Sequence, residues 1–134
     1  MIEQLIFDWG GTIMIDYAFP GPMYLWDRVD WVPGAKQYFS AFFSSKELEH
    51  GKPDPRFFTA IAEKLQVKTW QCVMIGDRYA KDIEGAKSAG MNTIFYNDKK
   101  LPGPFPAADI VIDDMGDLVG AVNMMKCRNE GMKE

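Results

Sequence analysis

A short apolar run, Leu5-Ile6-Phe7, ends in Asp8 and turns at once through Gly10-Gly11-Thr12, and no other stretch of the 134 residues constrains the fold as strongly. An unbroken apolar run stopped by glycine suits a parallel strand covered on both faces. A carboxylate at the C-terminal end of such a strand stands where open α/β sheets bind ligands. The junction therefore reads as a site as well as a strand, and Asp8 is its centre.

Further along, Asp54 to Leu65 predicts a helix. Asp54 can cap it, Pro55 suits its first turn, and Phe58, Ile61, Ala62 and Leu65 share one face. Cys72 to Ile75 reads as a second buried strand that delivers Asp77 to its C-terminal edge. A helix from Tyr79 to Ala89 follows, closed by Gly90. Asn92 to Tyr96 and Asp109 to Ile112 read as two more strands, joined by a loop through Pro102, Pro104 and Pro106. A last helix is expected from near Asp114, capped by Asp113 and Asp114, with Leu118, Val122 and Met125 on its buried face and a charged, frayed tail after Cys127. Between Met14 and Pro33 the periodicity is poor. Phe19-Pro20-Gly21-Pro22 marks a turn there, and the aromatics from Met23 to Val32 form one or two helical turns that cover the sheet.

Bulk properties narrow the function classes. A chain with 47% hydrophobic and 13% aromatic residues is globular, and its length suits one core. Its 15 basic and 19 acidic residues give a formal net charge of −4 with scattered lysines, which argues against nucleic-acid binding. Cys72 and Cys127 lie far apart, with neither metal-ligand spacing nor disulfide density, as in a reducing cytoplasm. The N-terminal run is too short and too acidic for a signal peptide, and no stretch is long enough to span a membrane.

Three motifs in order give a more specific reading. Asp8-Trp9-Gly10-Gly11-Thr12, Gly51-Lys52-Pro53-Asp54-Pro55 and the stretch from Ile75-Gly76-Asp77 through Asp82, Gly85 and Gly90 to Met91 resemble the nucleophile, lysine and acidic motifs of the haloacid dehalogenase (HAD) superfamily, over residues 1 to about 113. The resemblance implies a Rossmann-like α/β fold, a three-layer sandwich with a mainly parallel sheet. Residues 1–127 would form its single domain, 14–33 a reduced cap or loop insert, and 128–134 the tail. It implies Asp8 as nucleophile, with Lys52 as the cation that steadies both Asp8 and a transferring phosphoryl group. Mg²⁺ would be held by Asp8, the Gly10 carbonyl and Asp77, with Thr12 shaping the loop and Asp82 orienting Lys52 or metal-bound water. Taken singly, Asp8 or Asp77 could merely cap a turn, Asp82 could serve the helix dipole, Arg78 and His50 read as a solvated charge and a loop residue, and the joint pattern carries the site.

Two departures qualify the resemblance. Gly10 stands where phosphatase-like relatives carry a second aspartate that protonates the leaving group. A strand-plus-helix unit, on the order of 30 residues, is missing between Gln37 and Tyr38, so the run from Tyr38 to Ser45 resembles the family's third strand. Either that strand moves beside the Asp8 strand, bringing Ser44 or Ser45 to the place where relatives hold phosphate, or it keeps its position and leaves an open lane that invites self-association. The expected function is a Mg²⁺-dependent, phosphatase-type hydrolase acting on a small phosphorylated molecule. The alternatives are a weak or inactive metal- and phosphate-binding domain, and carbon-halogen or carbon-phosphorus cleavage.

Overall fold

The computed structural model describes residues 1–8, 14–15, 30–31, 43 and 45–131. Their elements in chain order are β1 (Gln4–Phe7), β2 (Met14–Ile15), β3 (Asp30–Trp31), α1 (Ser45–Leu48), α2 (Pro55–Lys64), β4 (Cys72–Gly76), a π-helical stretch Tyr79–Glu84 running into α3 (Gly85–Ser88), β5 (Asn92–Tyr96), β6 (Ile110–Ile112) and α4 (Leu118–Gly131). The main sheet is parallel in the order β1-β4-β5-β6, and β2 pairs with β3 as a separate antiparallel ribbon. The α/β class and the parallel sheet read from the sequence are what the chain forms.

All five residues of β4 are buried because both faces of the strand are covered. Its side chains alternate between two cores. Cys72 and Met74 point to one side with Phe57, Phe58, Ile61, Ala62, Ala86 and Met91, while Val73 and Ile75 join Ile94, Ile112, Ala121, Val122 and Met125 on the other. Helices α1 to α3 thus cover one face and α4 the other, giving three layers.

The ends of α2 show how local chemistry fixes the element. The Asp54 carboxylate accepts the Arg56 backbone N–H at 2.9 Å, and Pro55 occupies the first turn, where a missing N–H costs nothing. At the other end Val67 N donates to Ala62 O at 3.0 Å and Gln66 N to Glu63 O at 3.0 Å. That closure puts Gln66 at φ 59°, the left-handed conformation that glycine normally supplies.

Several sequence expectations need correction. Ser45 opens helix α1 instead of ending a strand, and it lies next to Gly51, where an added Cβ would come 3.6 Å from the Ser45 Cβ. Residues 32–42 and Ser44 lie outside the described residues, as do Trp9 to Ile13, with Gly10 and Thr12, and 16–29. The stretch after Asp77 is π-helical before it becomes α-helical. Strand β6 begins at Ile110, one residue later than expected, while the Asp109 carboxylate accepts from Lys87 and from the Thr93 N–H. Asp114 caps a 3₁₀ turn, Met115–Asp117, through the Gly116 N–H at 2.7 Å, and α4 starts after it. Helix α4 continues past Cys127 to Gly131, and Ala121 joins Val122 and Met125 on its buried side while Leu118 is only half-buried.

Replacing Gln66 by glycine should stabilise the fold. Removing the left-handed strain of a non-glycine residue outweighs the added freedom of the unfolded chain, for a net gain of about 0.5–1 kcal/mol. Urea unfolding of Gln66→Gly at an unchanged m-value is the check, and an unchanged or lower midpoint would contradict it.

Candidate active site

Parallel pairing places two acids at one edge. β1 and β4 run side by side in register from Gln4↔Cys72 to Phe7↔Ile75, and Asp8 N extends the ladder by donating to Ile75 O at 2.8 Å. Asp8 and Asp77 therefore leave neighbouring strands at their shared C-terminal ends, the position that α/β sheets use for ligands.

The third acid arrives from the π-helical stretch. Asp82 is fully buried, and its two oxygens are both engaged: Oδ1 accepts from Lys52 Nζ at 2.6 Å and Oδ2 from the Arg78 backbone N–H at 3.1 Å. Gly76 makes room for it, because a Cβ at Gly76 would stand 2.6 Å from the Asp82 Cβ and 2.7 Å from its Cγ. Lys52 reaches in from the loop before α2, where Asp54 N bonds back to Gly51 O at 3.0 Å. Its ammonium also donates to Asp8 Oδ1 at 2.6 Å, so one cation ties the end of β1 to the helix behind β4.

Electrostatics show an excess of negative charge. Among the described residues, Asp8, Asp77 and Asp82 each offer a carboxylate oxygen within 4.8 Å of the others, and the Lys52 ammonium meets two of them. Burial acts to lower the Lys52 pKa, but the charges and hydrogen bonds of Asp8 and Asp82 outweigh it and hold the ammonium above its ordinary value. Burial pushes Asp77 up to about 7, helped by its hydrogen bond to Asp8 and by the charges of Asp8 and Asp82. Asp82 is raised too, by burial and then by Asp8, with Lys52 pulling the other way. Burial is the leading cause at Asp77, and the neighbouring carboxylates add to it.

A hard divalent cation fits this donor set, since carboxylate oxygens at adjacent strand ends are the ligands that Mg²⁺ takes. Asp8 and Asp77 could hold one. Asp82 has both oxygens committed, one of them to Lys52. The structure brings together Asp8, Lys52, Asp77 and Asp82. Ser45 sits in α1, while Gly10, Thr12 and Ser44 fall outside the described residues. Sequence reasoning gave no role to Gly76 or Gly85. At Gly85 a general signal was available, because a glycine inside a helical pattern usually has a packing reason, but it does not say what the glycine faces.

Comparison with known proteins agrees with this geometry. A HAD-hydrolase-like family profile matches residues 49–118, just over half of the chain. The glyceraldehyde 3-phosphate phosphatase of Methanopyrus kandleri is 37% identical over 63% of this chain and 35% of its own length. The phosphoserine phosphatase of Thermus thermophilus is 30% identical over 63% of this chain and 34% of its own length. This chain thus spans about a third of the curated relatives it matches. Among solved structures, the 2-haloacid dehalogenase of Pseudomonas syringae superposes with a TM-score of 0.62 at 29% identity, covering 69% of this chain and 40% of that one. A HAD phosphatase from Thermococcus onnurineus gives 0.60 at 30% identity, covering 66% and 41%. The HAD-hydrolase YfnB of Bacillus subtilis, determined with bound magnesium, gives 0.60 at 25% identity, covering 67% and 40%. A matched profile, a shared fold and three motifs that converge on one sheet edge have a single reading: the chain belongs to the HAD-hydrolase-like family.

Proposed function

We propose that the chain is a Mg²⁺-dependent, phosphatase-type hydrolase that acts on a small phosphorylated molecule through an aspartyl intermediate on Asp8. The observation that carries this reading is the Lys52 ammonium at 2.6 Å from both Asp8 and Asp82, beside Asp77. The phosphatases among its relatives favour phosphoryl over other electrophiles.

The chain's own residues divide the work. An Asp8 carboxylate oxygen attacks phosphorus, forming an O–P bond as the bond to the leaving oxygen breaks, and the bond electrons depart with that oxygen. Water then attacks the same phosphorus, releasing inorganic phosphate and restoring the carboxylate. Lys52 holds Asp8 in place and offers positive charge where the phosphoryl oxygens gather it. Asp82 keeps Lys52 aimed. Mg²⁺ held by Asp8 and Asp77 would supply charge neutralisation between the anionic nucleophile and the anionic substrate. Release of inorganic phosphate from a panel of phosphate monoesters, with Mg²⁺ and with EDTA, tests the reading, and no metal-dependent release across the panel would overturn it.

A second reading, a metal- and phosphate-binding domain with weak turnover, is favoured by Gly10. Glycine moves no proton, and a general acid is typically worth about 10²–10⁴ in rate. Acyl and nitrophenyl phosphates, whose leaving groups depart unprotonated, should therefore outpace alkyl phosphates. Gly10→Asp should raise alkyl phosphate hydrolysis, and the absence of any gain would favour the binding domain.

Metal dependence should also appear in stability. Asp77 is raised from 3.8 to about 7 on folding and Asp82 is raised in the same direction, so the fold favours their protonated forms. The metal-free protein should lose stability as pH rises from about 4 through 7, because the unfolded chain ionises there while the folded site resists. Mg²⁺ should raise the melting temperature most at pH 8 and least at pH 5, and Asp77→Ala should abolish that increment in calorimetric and melting measurements alike. A Mg²⁺ affinity unchanged by Asp77→Ala would reject the ligand assignment.

A further inference from the structure

We propose that Gly85 is a positioning residue for Lys52, resting on the site roles given above. Its φ of −62° and ψ of −47° are ordinary helical values that any residue adopts, so backbone freedom does not call for glycine here. Glycine is also a poor helix former. The reason lies in what faces it. A Cβ at Gly85 would stand 2.6 Å from the Pro53 carbonyl oxygen, 3.0 Å from the Pro53 Cα and 2.7 Å from Cε2 of Phe58. The Phe58 ring is fully buried, and the Pro53 contact is backbone, which has no rotamer through which to escape.

Pro53 follows Lys52 directly, and Asp82 precedes Gly85 by one turn of the same helical stretch. The bare backbone of Gly85 therefore sets how closely the loop carrying Lys52 approaches the helix carrying Asp82. At that separation one ammonium meets Asp82 and Asp8 at 2.6 Å each, although the acids come from different elements. A methyl group at position 85 pushes the Lys52–Pro53 backbone outward, and the ammonium can no longer satisfy both carboxylates. Displacement on the scale of 1 Å near reacting groups is worth about 10² in rate.

The test is reductive methylation of the intact protein without Mg²⁺ or substrate, with the labelling rate of each lysine read by mass spectrometry. Lys87 is the internal control: it lies two residues beyond Gly85, with Nζ at 2.7 Å from both Asp109 oxygens. Gly85→Ala should speed labelling of Lys52 severalfold and leave Lys87 unchanged. Phe58→Leu disturbs the same packing without touching the Pro53 contact, and should lower the melting temperature while Lys52 stays protected. The double variant Phe58→Leu/Gly85→Ala relieves the ring but not the carbonyl, and should still expose Lys52. A Lys52 that stays protected in both Gly85→Ala proteins, loss of protection at Lys52 and Lys87 together, or exposure of Lys52 by Phe58→Leu alone would each overturn the proposal. Where the wild-type protein turns over phosphate esters, Gly85→Ala should lower kcat by about 10² with KM little changed. The labelling result needs no turnover, so it distinguishes failure of this proposal from failure of the phosphatase reading.

Discussion

The pair of hydrogen bonds from Lys52 to Asp8 and Asp82 is the interaction on which the site depends. It crosses from the end of β1 to the helix behind β4 by way of a loop that belongs to neither. Asp82 has no exposed surface, so its charge is tolerable only because an ammonium and a backbone N–H meet its two oxygens. Loss of one partner from such a buried pair costs about 3–5 kcal/mol, mostly as an uncompensated charge. Deleting Lys52 would therefore confuse stability with chemistry. A variant that moves the ammonium while leaving it present reports on the site more cleanly.

Asp77 at the same edge is raised first by burial, and then by its hydrogen bond to Asp8 and the charges of Asp8 and Asp82. Two functions of the fold meet here. Parallel pairing of β1 with β4 forces Asp8 and Asp77 together, and the π-helical stretch turns Asp82 inward behind them. Local widening of a helix of this kind is frequent at functional sites. Under the proposed function the arrangement would cost stability without a cation and favour binding of one, so that strain and binding capacity would be one property.

Much of this was legible in the sequence, for reasons that differ between elements. Strand β4 was readable because burial on both faces demands a continuous apolar run, and α2 because Asp54, Pro55 and its apolar face obey local rules. The acids and Lys52 were readable because their motifs occur in the right order. Ser45 misled because Tyr38 to Ser45 is rich in aromatic and small residues that suit a strand, while its last residue begins a helical turn whose Leu48 is buried against α2. The close approaches at Gly76 and Gly85 were not legible. They depend on what lies across from each glycine, the Asp82 side chain at Gly76 and the Pro53 backbone and Phe58 ring at Gly85, and that is fixed by tertiary packing.

Gly10 turns the remaining question from where the phosphoryl group sits to where a proton goes. Asp8, Lys52 and Asp77 can hold and activate a phosphoryl group under the proposed function, because each acts through position and charge. Two groups of the site are already committed by their hydrogen bonds: Asp82 accepts from two donors, and Lys52 gives protons to the two carboxylates that aim it. An ammonium kept above its ordinary pKa is a poor acid, so the same interactions that make Lys52 a firm positive charge unsuit it as a proton source. Positioning and proton transfer thus make opposite demands on this residue, and the structure meets the first. Under the proposed function, glycine at position 10 would favour substrates whose leaving group needs no proton, or a proton donor brought by the substrate itself.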